Sequence, residues 1–84
     1  MSSLDPNVVA GTTGYLVADT RGRVVGRVER AAAPIDGEAL RLWVRGRFPF
    51  RRRRVVPVGA IQEIDETSQV VLLNVTRESL HSHA

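Results

Sequence analysis

The chain is 84 residues long, 43% hydrophobic and 25% charged, with twelve basic residues against nine acids for a net charge of +3. This length holds one domain, the hydrophobic content excludes disorder, and the absence of cysteine excludes disulfides, thiolate chemistry and Cys-based zinc sites. No apolar run approaches the roughly 20 residues of a membrane-spanning helix and no basic-then-apolar signal opens the chain, so a cytoplasmic protein is expected.

Residues 1–12 read as a loose leader: Ser2, Ser3, Asp5, Pro6 and Asn7 are turn formers with few apolar anchors. Gly14 to Ala18 is a short apolar strand, followed by a turn at Asp19 to Gly22. Gly22 supplies the positive φ that such a turn needs, and Asp19 is placed to accept hydrogen bonds from turn N–H groups. Arg23 to about Ala33 is a long second strand. Its Gly26 marks a bulge or a close backbone approach that lets Val25 and Val28 both point inward.

Pro34-Ile35-Asp36-Gly37 is a turn. From Ala39 to Arg45 the chain alternates: Leu40, Leu42 and Val44 face the core, while Arg41, Trp43 and Arg45 face out. Gly46 to Phe50 breaks the pattern. Arg51-Arg52-Arg53-Arg54 leads into a fourth strand ending at Pro57, which lacks the N–H a ladder needs. A helical turn fits Val58 to Ile61. Gln62 to Asp65 and Gln69 to Val75 flank Glu66-Thr67-Ser68 as a hairpin. Thr76 to Leu80 starts like a short helix with Thr76 as its N-cap, and 81–84 is a tail. Six short strands separated by turns predict an all-β fold, a small antiparallel barrel of about six strands with a short C-terminal helical turn. The domain spans 13–80.

The pieces in this order resemble a PRC-barrel domain from about Gly14 to Leu80. They are the strand ending in Asp19, Gly22, Val25-Gly26-Arg27-Val28, Val56-Pro57-Val58, the hairpin Ile61 to Leu73, and Thr76-Arg77-Glu78-Ser79-Leu80. That family includes a part of the photosynthetic reaction-centre H subunit and the C-terminal domain of RimM-type ribosome-maturation factors, and many members stand alone. The resemblance implies a scaffold or adaptor that binds other macromolecules without shared catalysis. The shared positions are structural, so it assigns no site residues.

All twelve basic residues are arginine. Arginine makes bidentate contacts to phosphate and carboxylate that lysine does not; a lysine-free, Ala- and Val-rich chain also suits a GC-rich genome. Arg41, Trp43, Arg45, Arg47, Phe48, Phe50, Arg51, Arg52, Arg53 and Arg54 make a basic, aromatic neighbourhood and the candidate interaction surface. The run Val70 to Leu73 is apolar on both parities, which offers Val71, Leu73 and Val75 as a self-association strand. His81 and His83 lack a third metal ligand. Asp65 with Glu66, and Asp36 with Glu38, lack a partner that would split their proton affinities. No catalytic group, metal or cofactor is therefore expected. The leading reading is a non-enzymatic adaptor for protein–protein assembly, with a homodimer as its first form. RNA or ribosome binding through Arg51 to Arg54 and the aromatics is the alternative, disfavoured by the modest +3 charge.

Overall fold

In the computed structural model, residues 6–32, 41–46, 52–80 and 82–83 are described. A five-residue helix, α1 (Pro6–Ala10), precedes β1 (Leu16–Ala18), β2 (Val24–Ala32), β3 (Arg41–Arg45), β4 (Arg53–Pro57), β5 (Ile61–Asp65), β6 (Val70–Leu73) and β7 (Ser82–His83). Two 3-10 turns lie at Val58–Ala60 and Arg77–Ser79. The strands form one sheet in the order β5-β6-β1-β2-β3-β4-β7. It curls round a single aliphatic core in the manner of a small barrel. The end strands β5 and β7 do not pair among the described residues, and the Val58–Ala60 turn carries the chain from one flank of that seam to the other.

The sheet is mixed, not wholly antiparallel: β1 pairs antiparallel with β2 but parallel with β6. The β5–β6 hairpin docks on the free edge of β1 after the chain has crossed at Val58–Ala60, which fixes the direction of β6. Nothing local in the sequence of either strand records that direction. The seventh strand, β7, is a two-residue pairing with Arg53 and Arg54 of β4.

Alternation in β3 comes out as the sequence predicts, with Leu42 and Val44 fully buried and Arg41 and Arg45 exposed. In β2 the register slips by one residue between Ala18↔Val24 and Val17↔Gly26, so Val25 is the extra residue of a bulge. Val25 and Val28 are both buried as a result. Gly26 is buried beneath β3, and a Cβ there would collide with the backbone carbonyl of Arg45. Gly22, at φ +74°, closes the β1–β2 turn. The β5–β6 turn is held by Asp65, whose Oδ1 accepts from Thr67 N at 3.0 Å and Ser68 N at 3.2 Å.

Three further expectations change. The leader is not loose throughout: Val9 and Thr12 are fully buried, and the Thr12 hydroxyl donates to the Val9 carbonyl at 2.8 Å. Val9 joins the core cluster and Val8 packs against it, so two adjacent aliphatic side chains seat a segment otherwise rich in turn formers. Thr76 makes no side-chain cap; the following N–H, of Arg77, donates to Asp19 instead. Val71 and Leu73 are core residues, and Val75 is half-buried against the same core, so none of the three is a free self-association surface. Every position of Val70-Val71-Leu72-Leu73 is aliphatic, so hydrophobicity does not say which parity faces in. The Pro34–Gly37 turn, Leu40 and His81 lie outside the described residues.

Candidate functional site

Two polar constellations stand out, one at an end of the barrel and one on the outer face of its sheet. The first closes one end of the barrel. Asp19 is buried where β1 ends. Its Oδ1 accepts from the backbone N–H of Arg21 at 3.0 Å and of Arg23 at 2.9 Å. Its Oδ2 accepts from Arg23 Nε and from Arg77 N, both at 3.0 Å. Burial alone would push the Asp19 carboxyl up. The N–H groups of Arg77, Arg23 and Arg21 and the Arg23 guanidinium outweigh it and hold the group well below the usual carboxylate range. The same guanidinium reaches Glu78, whose carboxyl the bond lowers. This network ties the β1–β2 turn to the C-terminal 3-10 turn. Its donors and acceptors answer one another, which makes it a clasp.

The second constellation is the outer face of β2, β3 and β4. Strand register sets three rows across it: Arg27–Arg45–Arg53, then Arg30–Trp43–Val55, then Ala32–Arg41–Pro57. Arg27 and Arg30 share the face only because Glu29 is the extra residue of a second bulge, between Val28↔Val44 and Arg30↔Trp43. Five arginines therefore surround a half-buried Trp43, and all five are exposed. The Arg30 guanidinium carbon lies 4.3 Å from the Trp43 ring centroid, a cation–π stack. Glu29 pairs with Arg53 Nε at 3.2 Å and Arg45 Nη2 at 3.4 Å. Arg27 Nη1 donates to the Gly14 carbonyl at 3.1 Å. Among the described residues the face thus carries five arginines and the Glu29 carboxylate.

A groove of about 220 Å³ between the end of β4 and the second 3-10 turn is lined by Val55, Pro57, Ala60, Val75, Ser79 and Leu80, with no titratable side chain among them. Among the described residues no three His, Asp or Glu side chains come together, and no helix is long and apolar enough to cross a membrane.

No protein-family model and no curated protein matches this sequence. Among solved structures, the chain is similar to a Pseudomonas aeruginosa protein assigned to 16S ribosomal RNA processing, RimM. The TM-score is 0.68 at 15% identity, over 93% of this chain and 47% of that one. The fold is PRC-barrel-like. The chain spans about half the length of the protein it matches, and at this identity the likeness speaks of fold alone.

On this PRC-barrel-like frame the sequence-predicted surface divides. Arg41, Trp43, Arg45 and Arg53 come together on the outer face. Arg54 does not join them: it stands opposite Val44 on the core-facing parity and is half-buried, because successive strand residues alternate sides. Arg52 is exposed just ahead of β4, with its carbonyl accepting from Gly46 N at 2.7 Å. Arg47, Phe48, Phe50 and Arg51 lie outside the described residues. Arg27 and Arg30 were not legible as part of the surface. A strict two-residue period puts residues three apart on opposite faces, and only the bulge at Glu29 unites them.

Proposed function

We propose that this chain is a non-enzymatic RNA-binding module and that the β2–β3–β4 face is its contact surface. The observation that carries the reading is the Arg30–Trp43 stack set among Arg27, Arg45 and Arg53. Arginine supplies charge-assisted, bidentate contacts to phosphate oxygens, and an aromatic ring in a basic sheet face supplies a surface on which bases stack. The fold neighbour's assignment to 16S ribosomal RNA processing lends the reading a second support and makes ribosomal RNA the first probe to use. The low net charge of the whole chain is not the charge of this face: among the described acids, Asp19 and Glu78 are tied into the clasp, Glu63, Asp65 and Glu66 lie on or beside the β5–β6 hairpin, and Glu29 stands on the face.

The self-association form of the adaptor reading has less behind it. Its strand residues Val71 and Leu73 are spent in the core. The test is titration of a 16S ribosomal RNA fragment at low and at physiological salt. Binding should weaken steeply with salt. The double variant Arg45→Ala/Arg53→Ala should lower the slope of log K against log salt by about 2 and leave the fold intact. Absence of binding at low salt excludes RNA and returns the face to a protein partner, and binding that the double variant does not change places the RNA contact on another surface of the chain.

A further inference from the structure

Resting on the RNA reading, we infer that this face takes unpaired nucleotides in preference to a duplex: a base stacks at Trp43, and the adjoining backbone phosphate takes the place that the Glu29 carboxylate occupies between Arg45 and Arg53. Glu29 is itself an oxyanion held by two guanidinium groups. Arg53 binds it side-on, Nε to Oε1 at 3.2 Å and Nη2 to Oε2 at 3.3 Å, and Arg45 Nη2 closes from the next strand at 3.4 Å. A backbone phosphodiester presents two oxygens sharing one negative charge to the same fork, as the carboxylate does. All three side chains are partly open to solvent, at 32% for Glu29, 47% for Arg45 and 50% for Arg53. Exposed ion pairs of this kind contribute little stability, so exchange of one oxyanion for another costs little.

The stacking partner lies next door. Trp43 and Arg45 are two residues apart on one strand face, roughly 6.8 Å along β3, a distance that one nucleotide bridges between its base and its phosphate. Arg30 is exposed and lies over the ring. It either caps an incoming base from above or swings off it, and both movements are open to a surface guanidinium. Bases inside a duplex are stacked on one another and hidden from such a ring, whereas a single strand offers them. Five arginines on a short face also suit one strand threading past better than the two phosphate rails of a helix.

Trp43 is the one tryptophan of the chain, so its fluorescence reports the site directly. The experiment titrates the full chain with short oligouridine and with a blunt RNA duplex of equal phosphate count, at low salt. Oligouridine should quench Trp43 and bind at least about tenfold more tightly than the duplex. Trp43→Phe should keep most of that affinity, and Trp43→Leu, followed by anisotropy of labelled oligouridine, should lose about tenfold, the order expected of one stacked base. Glu29→Gln should tighten oligouridine binding several-fold. Glu63→Gln, which removes the same charge from exposed β5, should change it much less. If neither RNA binds, the RNA reading and this inference fall together. Equal or tighter duplex binding with unchanged Trp43 emission leaves RNA binding standing and overturns the preference for unpaired nucleotides. An unchanged or weakened Glu29→Gln complex overturns the exchange at Arg45 and Arg53.

Discussion

Arg23 donates from Nη1 and Nη2 to the two carboxylate oxygens of Glu78, 55 residues further along the chain, while its Nε holds Asp19 at 3.0 Å. One side chain thereby joins the first turn of the barrel to its last. The exposed half of the contact, to Glu78, is open to screening by salt and water. The other half is screened much less, because the Asp19 side chain is fully buried, and the same carboxylate also accepts from the Arg77 N–H.

Acid stability follows from that difference. Asp19 has an ordinary value of 3.8 when unfolded and a lower one when folded. The folded state therefore gains from the ionised group, and the gain is complete above about pH 4. It is lost as pH falls from there toward the folded value. Denaturant midpoints of the native chain and of Asp19→Asn should lie far apart at pH 7 and converge below pH 4. Glu78→Gln should move the midpoint much less, and its effect should shrink in high salt. A gap between native and Asp19→Asn that widens on acidification contradicts the depressed carboxyl.

Gln69 closes the β5–β6 turn with φ at 59°, a left-handed conformation that side chains with a Cβ adopt at a cost of about 1–2 kcal/mol. Glycine removes that cost but brings its own entropy to the unfolded chain, roughly 0.5–1 kcal/mol. Gln69→Gly should leave a net gain of about 0.5 kcal/mol, read as a higher denaturant midpoint with an unchanged slope. A loss of stability would mean that the turn does not use the left-handed region.

The opposite sign is expected at Gly26. Its hydrogen faces the Arg45 backbone carbonyl, and no rotamer moves a Cβ out of that path. Gly26→Val should cost more than about 3 kcal/mol, beyond the usual range for an overpacked side chain, because the obstacle is backbone. A melting temperature within a few degrees of the native chain's would remove the close approach of β2 to β3.

Parts of this architecture were legible because the sequence carries them locally. Asp19 and Gly22 announce the first turn, Gly26 announces the first bulge, and the Leu42/Val44 against Arg41/Trp43/Arg45 alternation fixes both the core face and the outer face of β3. What was illegible depends on distant or degenerate information. The second bulge at Glu29 has no glycine to mark it, so Arg27 and Arg30 were not recognised as neighbours of Trp43. The all-aliphatic β6 does not disclose its parity, so Val71 and Leu73 were placed outside when they fill the core. The parallel β1–β6 pairing is a property of how the hairpin docks, a tertiary fact with no residue of its own.

The alternation in β3 allows stability and binding to be separated by neighbouring substitutions. Leu42 is fully buried, opposite Ala31 on one side and Val56 on the other. Leu42→Ala removes its packing and leaves a cavity, so it should cost about 2–5 kcal/mol. Arg45, three positions on, is exposed and its ion pair is worth little, so Arg45→Ala should change stability by less than about 1 kcal/mol. Binding should show the reverse order. At a temperature where both variants are folded, Leu42→Ala should keep the native affinity for RNA, while Arg45→Ala loses affinity and about one unit of salt slope. A Leu42→Ala chain that is folded yet fails to bind would place the contact surface elsewhere, because nothing of Leu42 reaches the outer face.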